Sequence, residues 1–365
     1  MIHSFGKLVI DLQALRDNYD IISKKIVSDC IIAPVVKANS YGLGMVELSH
    51  IFHEKGARNF FVATPEEGLI LRQALPESKI FVLGGFYKNH MHDYLSHTLS
   101  PVLGGLEELD AYRDLALEQN QILQAFLHFD TGMNRLGLSK RESIILLNEP
   151  GRMDGLNICG VMSHFACAEE DNNPMNEIQY ESFMQNTAHF SKAQKSLCNS
   201  PGLFQDQRYH FDMVRPGMAL YGLNPTPGKP NPMKPVIRLE IPVIRMRTAL
   251  KGESAGYNST YRFEQDTRLA IISVGYADGV FRSLSNRAVF YWKGYACPVR
   301  GQISMDTTNI DLSAIPENKR PNVGDYVELL GPFQNADDLA NIAGTIGYEI
   351  LTSLGARYKR HYINS

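Results

Sequence analysis

Between residues 31 and 215 the chain repeats one alternation, a short apolar run followed by a helical or loop stretch. The first run holds Ile31, Ile32, Val35 and Val36, and the others are Asn59–Thr64, Lys79–Gly85, Ser100–Gly104, Ala125–Asp130, Ile158–His164, Ser196–Ser200 and Phe211–Arg215. Runs that are apolar throughout need cover on both faces, which is the condition of strands in a parallel sheet. Amphipathic segments such as Leu106–Gln119 and Lys140–Leu147 supply helices for that cover. Eight strand–helix units predict an α/β fold of the closed (β/α)8 TIM type ending near residue 230, with a doubly wound open sheet as the architecture that counting strands leaves open. The proline-crowded stretch NPTPGKPNPMKP, residues 224–235, reads as a linker. Beyond it the β-rich segments Ile241–Arg247, Leu269–Val274, Arg287–Trp292 and Tyr326–Leu330 predict a separate, mostly β domain, and residues 335–356 read as helical with Asn335 as N-cap.

Composition narrows the chemistry. A net charge of −3 with 44% hydrophobic and 21% charged residues gives no reason to expect disorder or a nucleic-acid partner. No apolar run approaches membrane-spanning length, and residues 1–9 lack an apolar core behind a basic flank, so neither a membrane partner nor an export signal is expected. The five cysteines are odd in number, widely spaced and without a Cys-x-x-Cys pair, which predicts reduced thiols in a cytoplasm and no zinc site.

Polar residues of a catalytic type close several of the apolar runs. Lys37 is the first charge after its run, His128, Asp130 and Arg135 follow another, His164 ends a third, Asn199 and Ser200 a fourth, and Arg215 the last. In an α/β barrel these C-terminal strand ends share one face, where an amine can form a Schiff base with a carbonyl compound. Each residue also has a plain structural reading. A strand-end lysine turns to solvent, a lone histidine satisfies a core, Asp-Thr-Gly makes a turn, an arginine pairs with a carboxylate, and glycines at 42, 44 and 217 serve ordinary turns.

The motifs VVKANSYGLG (35–44), DTGMNRLG (130–137), SHFA (163–166), DMVRPGMALYG (212–222), GYNSTY (256–261), VGYADG (274–279) and ISMD (303–306) resemble, in order, those of the pyridoxal-phosphate-dependent alanine racemases. The resemblance covers nearly the whole chain. It implies a barrel over residues 8–233 and a mostly β domain over 234–365, which residues 1–7 are expected to join. It implies pyridoxal 5'-phosphate as cofactor, with Lys37 as the Schiff-base lysine. Around the phosphate it places Tyr41, Asn199, Ser200, Gly217, Met218 and Tyr348. Backbone amides at a loop where glycine lets the chain come close suit an anion.

By the same resemblance Arg215 faces the cofactor ring nitrogen and His164 lies beside the ring. Arginine carries donors alone and stays charged, so it can hydrogen-bond only an unprotonated ring nitrogen. That weakens the electron sink and favours reprotonation at the α-carbon, as racemisation requires. Two acid/base groups must flank a planar carbon, and the resemblance assigns them to Lys37 and Tyr257. A phenol is a weak base at neutral pH and needs a neighbouring cation to help it. Tyr257 is expected from the neighbouring subunit of a homodimer with shared sites, together with Tyr276, Arg282, Met305 and Asp306 at the entrance and substrate carboxylate. Arg135 is matched to the arginine that contacts that carboxylate.

One position departs from the family pattern. Where the family commonly carries a lysine that becomes carbamylated, this chain has His128, which cannot carry a stable carbamate. Neutral His128, or a bound chloride, is expected to take over part of the positioning of Arg135. The implied function is interconversion of L- and D-alanine, with D-alanine supplied to cell-wall peptidoglycan, and the changed neighbourhood leaves open a racemase of broader amino-acid specificity. The competing class on a similar scaffold is a pyridoxal-phosphate decarboxylase of basic amino acids, to whose glycine-bearing motif NEPGR (148–152) bears a superficial likeness. Its place after a helical segment reads instead as a helix stop. A non-catalytic cofactor carrier shares the barrel and lysine motif but has no need of a second domain bearing Tyr257.

Overall fold

The computed structural model describes residues 6–364. The chain forms two units, Leu15–Met233 and a second made of Lys234 onward with the chain up to Ala14. The barrel unit thus begins at Leu15 rather than at residue 8. The reason is strand β1 (Lys7–Asp11), which belongs to the sheet of the second unit. Of the seven N-terminal residues expected there, residues 1–5 lie outside the described residues.

In the Leu15–Met233 unit, β2 (Ile31–Ile32), β3 (Asn59–Val62), β4 (Lys79–Val82), β5 (Leu99–Leu103), β6 (Leu123–His128), β7 (Leu156–Met162), β8 (Gln194–Ser196) and β9 (Met213–Val214) follow the eight expected runs. Strands β3 to β8 pair side by side in chain order, all parallel, and β2 pairs in parallel with β9. Hydrogen bonds from Val36 N to Phe61 O (2.9 Å) and from Phe61 N to Pro34 O (3.0 Å) join the β2 segment to β3. Those from Asp212 N to Lys195 O (3.1 Å) and Arg215 N to Cys198 O (3.0 Å) join β8 to β9. The ring is therefore closed, and the open-sheet alternative falls away. Several strands stop short of their apolar runs because the last residues begin the next element. Thr64 caps helix Pro65–Ala74, and Asn199 caps the turn Ser200–Leu203.

Inward-facing Ala33, Val35, Phe61, Phe81, Val102, Phe126, Met162 and Met213 fill the barrel. Phe126 meets Phe81 edge-on with ring centroids 4.6 Å apart. Gly160 on β7 makes this possible, since a Cβ there would lie 2.1 Å from the Phe126 ring. Burying one such aromatic contributes about 2–3 kcal/mol, so the glycine supports the closure by leaving room. Helix Lys140–Asn148 starts with a reciprocal cap, Ser139 Oγ accepting from Glu142 N (3.3 Å) and Glu142 Oε2 from Ser139 N (2.9 Å). The NEPGR stretch follows as a tight turn, Pro150–Met153, in which Arg152 pairs with Glu149 (2.6 Å) and with Asp110. Pro-Gly does end the helix there.

In the second unit β10 (Ile237–Ala249) is the spine. Strands β11 (Ser254–Ala255) and β12 (Tyr261–Arg262) form a short hairpin, followed by β13 (Thr267–Ile272), β14 (Val289–Trp292), β15 (Tyr295–Pro298), β16 (Thr308–Asp311), β17 (Tyr326–Leu330) and β18 (Lys359–Ile363). The sheet runs β15-β14-β17-β10-β1-β18, and β13 joins β10 to β16. Strand β1 lies antiparallel to β10 and parallel to β18, so removing it would expose two ladders. The helical stretch expected over 335–356 is two helices, Ala336–Ala343 and Gly347–Thr352. Asn335 caps the first through Asp338 N (2.9 Å), and left-handed Gly344 (φ 81°) terminates it.

Candidate active site

Leaving the β2 segment, the chain passes through Lys37 and then does something no glycine count predicts. Ala38, Asn39, Ser40 and Tyr41 all have positive φ (53°, 54°, 52° and 56°), and Gly42 follows at 84°. This is a full turn of left-handed helix made largely of L-residues, each costing roughly 1–2 kcal/mol. Surrounding bonds hold it, among them Ser40 N to Val36 O (2.9 Å), Gly42 N to Ala38 O (2.8 Å) and Met45 N to Asn39 Oδ1 (2.8 Å). The turn drives Tyr41 inward, where its ring centre lies 4.8 Å from that of Tyr221. Its hydroxyl lies over Gly217, where a Cβ would come within 2.5 Å of it. Ser200 Oγ accepts from Gly217 N (3.0 Å) and Ala219 N (3.3 Å), Asn199 caps the adjoining turn through Gly202 N (3.1 Å), and Met218 is buried beside them. Hydroxyls and close-approaching backbone converge, a donor set suited to an anion.

Arg215 is buried at the end of β9. Its Nη1 donates to Ser196 Oγ (2.5 Å), and its Nη2 to Ser163 O (2.6 Å), Leu197 O (3.5 Å) and His164 Nδ1 (3.3 Å). Because guanidinium only donates, His164 Nδ1 must accept, which puts the proton of the neutral ring on Nε2. Burial lowers the Arg215 pKa to about 10, which still leaves it charged at neutral pH. The Nε–H and one Nη1–H have no acceptor among the described residues and remain for one.

Lys37, His128, Arg135, His164 and Arg215 act on one another electrostatically. Burial first, then the charges of Arg135 and Arg215, lower the Lys37 pKa against an opposing pull from Glu67. Burial also drives His164 well below the usual histidine range, helped by Arg215, Arg135, His128 and Lys37. His128 falls from 6.5 to about 4 by burial, Arg215 and Arg135, so it is neutral at physiological pH. Arg135 is exposed on the turn that Asp130 organises by accepting from Gly132 N (2.9 Å), Met133 N (3.0 Å) and Asn134 N (3.1 Å).

These histidines set an acid limit. The folded state keeps His128 neutral while the unfolded chain takes up a proton below pH 6.5, so stability is full above that pH and is lost progressively down to about pH 4. The loss from His128 is about 3 kcal/mol. Denaturant melts across this range should show it, and His128→Asn should flatten the acid limb. An unchanged limb in that variant would contradict a buried neutral ring.

The remaining expected residues lie in the second unit. Tyr257, 64% exposed, occupies the tip between β11 and β12. Tyr276 and Met305 are exposed as well, and backbone bonds join Tyr276 N to Ser304 O and Ala277 N to Met305 O, both 3.1 Å. Arg282 donates to Gln302 Oε1, and Gln302's backbone packs against Gly256, so segment 302–305 links the neighbourhoods of Tyr257, Tyr276 and Arg282. Asp306 pairs with Arg357 (2.6 Å), and Tyr348 lies in helix Gly347–Thr352.

Comparison with known proteins accounts for this division. Residues 10–225 match the family described as alanine racemase, N-terminal domain, and residues 236–362 the alanine racemase C-terminal domain. The chain belongs to the alanine racemase family. It is 43% identical over 98% of its length to a protein of Agrobacterium fabrum named as a catabolic alanine racemase, covering 92% of that protein. It is likewise 43% identical to an Acidiphilium cryptum alanine racemase, with 97% of each chain covered. The crystal structure of alanine racemase from Bartonella henselae with covalently bound pyridoxal phosphate superposes with a TM-score of 0.93 at 36% identity, over 98% of this chain and 99% of that one.

The residues of this alanine racemase homologue fit such a cofactor. Position 217 has no room for a side chain beneath the Tyr41 hydroxyl, Arg215 keeps N–H groups for an acceptor, and the Lys37 amine makes no hydrogen bond or ion pair among the described residues. Several supports lie outside the motifs. Ser196 is the partner of Arg215, and Gln179 bonds Thr131 Oγ1 (3.1 Å), His164 O (2.9 Å) and Ala166 N (2.8 Å), tying the loop after β6 to that after β7. Arg357 was equally invisible, since its acidic partners Asp306 and Asp278 lie far back in the chain.

Proposed function

We propose that the protein interconverts L- and D-alanine using pyridoxal 5'-phosphate attached at Lys37. The observation that carries this is the buried Arg215, fixed by Ser163, Ser196 and His164 with donors left over, in electrostatic reach of Lys37. When bound, the cofactor withdraws electrons and acidifies the amino acid's α-hydrogen. Arg215, which has donors alone, would hydrogen-bond an unprotonated ring nitrogen and so would limit that withdrawal, favouring return of a proton to the same carbon.

The chain's own groups do the rest. Lys37, with its lowered pKa, is neutral in a larger fraction than a free lysine and serves as the acid/base group on one face of the α-carbon. Tyr257 serves the other face and is contributed by a second copy of the chain, in keeping with its exposure. Tyr41, Asn199, Ser200, Gly217, Met218 and Tyr348 hold the phosphate, and His164 flanks the ring. Arg135 receives the substrate carboxylate, with neutral His128 beside it. Tyr276, Arg282, Met305 and Asp306 line the approach, with Arg357 holding Asp306.

The working form in this account is a homodimer. The five cysteines are all free thiols, which supports a reducing, cytoplasmic setting, and the product supplies D-alanine for peptidoglycan. His128 in place of a carbamylated lysine keeps broader amino-acid specificity as the second reading. The decarboxylase reading loses its support because Arg152 is held by Asp110 and Glu149. The shared site has its own test. Coexpressed Lys37→Ala and Tyr257→Phe chains should regain about a quarter of wild-type activity, since half the dimers are mixed and each then has one complete site. Mixed preparations as inactive as either parent would refute a site built from two chains.

A further inference from the structure

Glu67 stands at the third position of helix Pro65–Ala74, behind the N-cap Thr64, whose Oγ1 accepts from Glu67 N at 3.5 Å. A glutamate in that position ordinarily folds back onto the N-cap amide. Here both carboxylate oxygens do something else. Oε1 accepts from Ala38 N at 2.6 Å and Oε2 from Ala63 N at 2.7 Å. Ala38 is the first left-handed residue after Lys37, and Ala63 directly follows β3. On the other side of Lys37, Val36 N is bound to Phe61 O of the same β3. The lysine backbone is therefore held on both sides to one strand, through β3 itself at Val36 and through the Glu67 carboxylate at Ala38.

The charge has a second consequence. The groups acting on the Lys37 amine are Arg135 from the loop after β6, Arg215 after β9, His164 after β7 and Glu67. The two guanidinium groups favour a neutral amine, whereas Glu67 favours a charged one. We propose that Glu67 is a positioning residue for Lys37, clamping the strained left-handed turn to the end of β3. This rests on the reading of Lys37 as the cofactor-binding lysine.

Two variants separate geometry from charge. Glu67→Gln keeps the length, removes the charge and loses one acceptor oxygen. Glu67→Asp keeps the charge but, one methylene shorter, cannot reach both amides. The full-length enzyme is stripped of cofactor, pyridoxal 5'-phosphate is added back, and its capture by the amine, with loss of water, is followed by visible absorbance across the pH range where amines titrate. Capture should be about tenfold slower in both variants at its pH plateau, because a displaced amine reacts from fewer productive geometries. The pH midpoint should stay in place for Glu67→Asp and move lower for Glu67→Gln. In steady state kcat should fall more than KM changes.

Wild-type rates and midpoints in both variants, with only a lowered melting temperature, would make Glu67 a helix cap and overturn the proposal. A wild-type protein that captures no pyridoxal phosphate would overturn the reading of Lys37 and this inference with it.

Discussion

Lys37→Ala should leave a folded protein that no longer retains pyridoxal 5'-phosphate through gel filtration and whose racemisation falls by roughly 10⁴-fold or more. The fold should not suffer. The amine makes no hydrogen bond or ion pair among the described residues, and its lowered pKa shows that burial, Arg135 and Arg215 disfavour its charge. Removing it relieves that unfavourable charge, so stability should stay within about 0.5 kcal/mol of wild type or rise. Loss of the visible band with an unchanged melting curve is the expected pair of results. A variant that keeps the band through gel filtration would place the covalent attachment elsewhere.

Tyr257→Phe should behave in the opposite way toward the cofactor. The visible band should stay, because Lys37, the attachment point in this reading, is untouched, and Tyr41, Ser200 and Arg215 lie in the same unit as Lys37. Racemisation should fall about 10³-fold, the usual worth of a positioned proton-transfer group. Stability should not change, since the phenol is largely exposed and its hydroxyl makes no hydrogen bond among the described residues. In D2O the defect should be one-sided. The enantiomer whose α-hydrogen faces Lys37 should still exchange it without inverting, whereas the other should do neither. Retained racemisation would remove Tyr257 from the second face.

How much of this was legible depends on the range of the interaction. The eight apolar runs and the Asn335 cap are local patterns, and each marks an element that formed. Closure of the ring was not local, since it depends on bonds such as Val36 to Phe61 and Arg215 to Cys198. The resemblance divides residues 7–11 between the two domains, whereas their pairing with β10 and β18, far along the chain, puts all five in the second unit's sheet.

At the site, the motifs single out Lys37, Arg215 and Tyr257 as candidates, but Glu67, bonded next to the first, and Ser196, bonded to the second, lie outside those motifs. The left-handed turn at 38–41 is held by its surroundings against residue preference, so propensity points the wrong way there. Glu67 sits in the first turn of a helix and Ser196 in an apolar run, ordinary places for both residue types. Neither shows its partner, 29 and 19 residues away respectively, in any sequence period.

Interconversion is measured directly by incubating the purified protein and pyridoxal 5'-phosphate with L-alanine and resolving the product by chirality. Two enantiomers have equal free energy in water, so the account predicts a mixture approaching equal amounts of L- and D-alanine, reached from either side, with no other product. Ethylamine and carbon dioxide in place of D-alanine, or alanine that stays entirely in the L form, would contradict it.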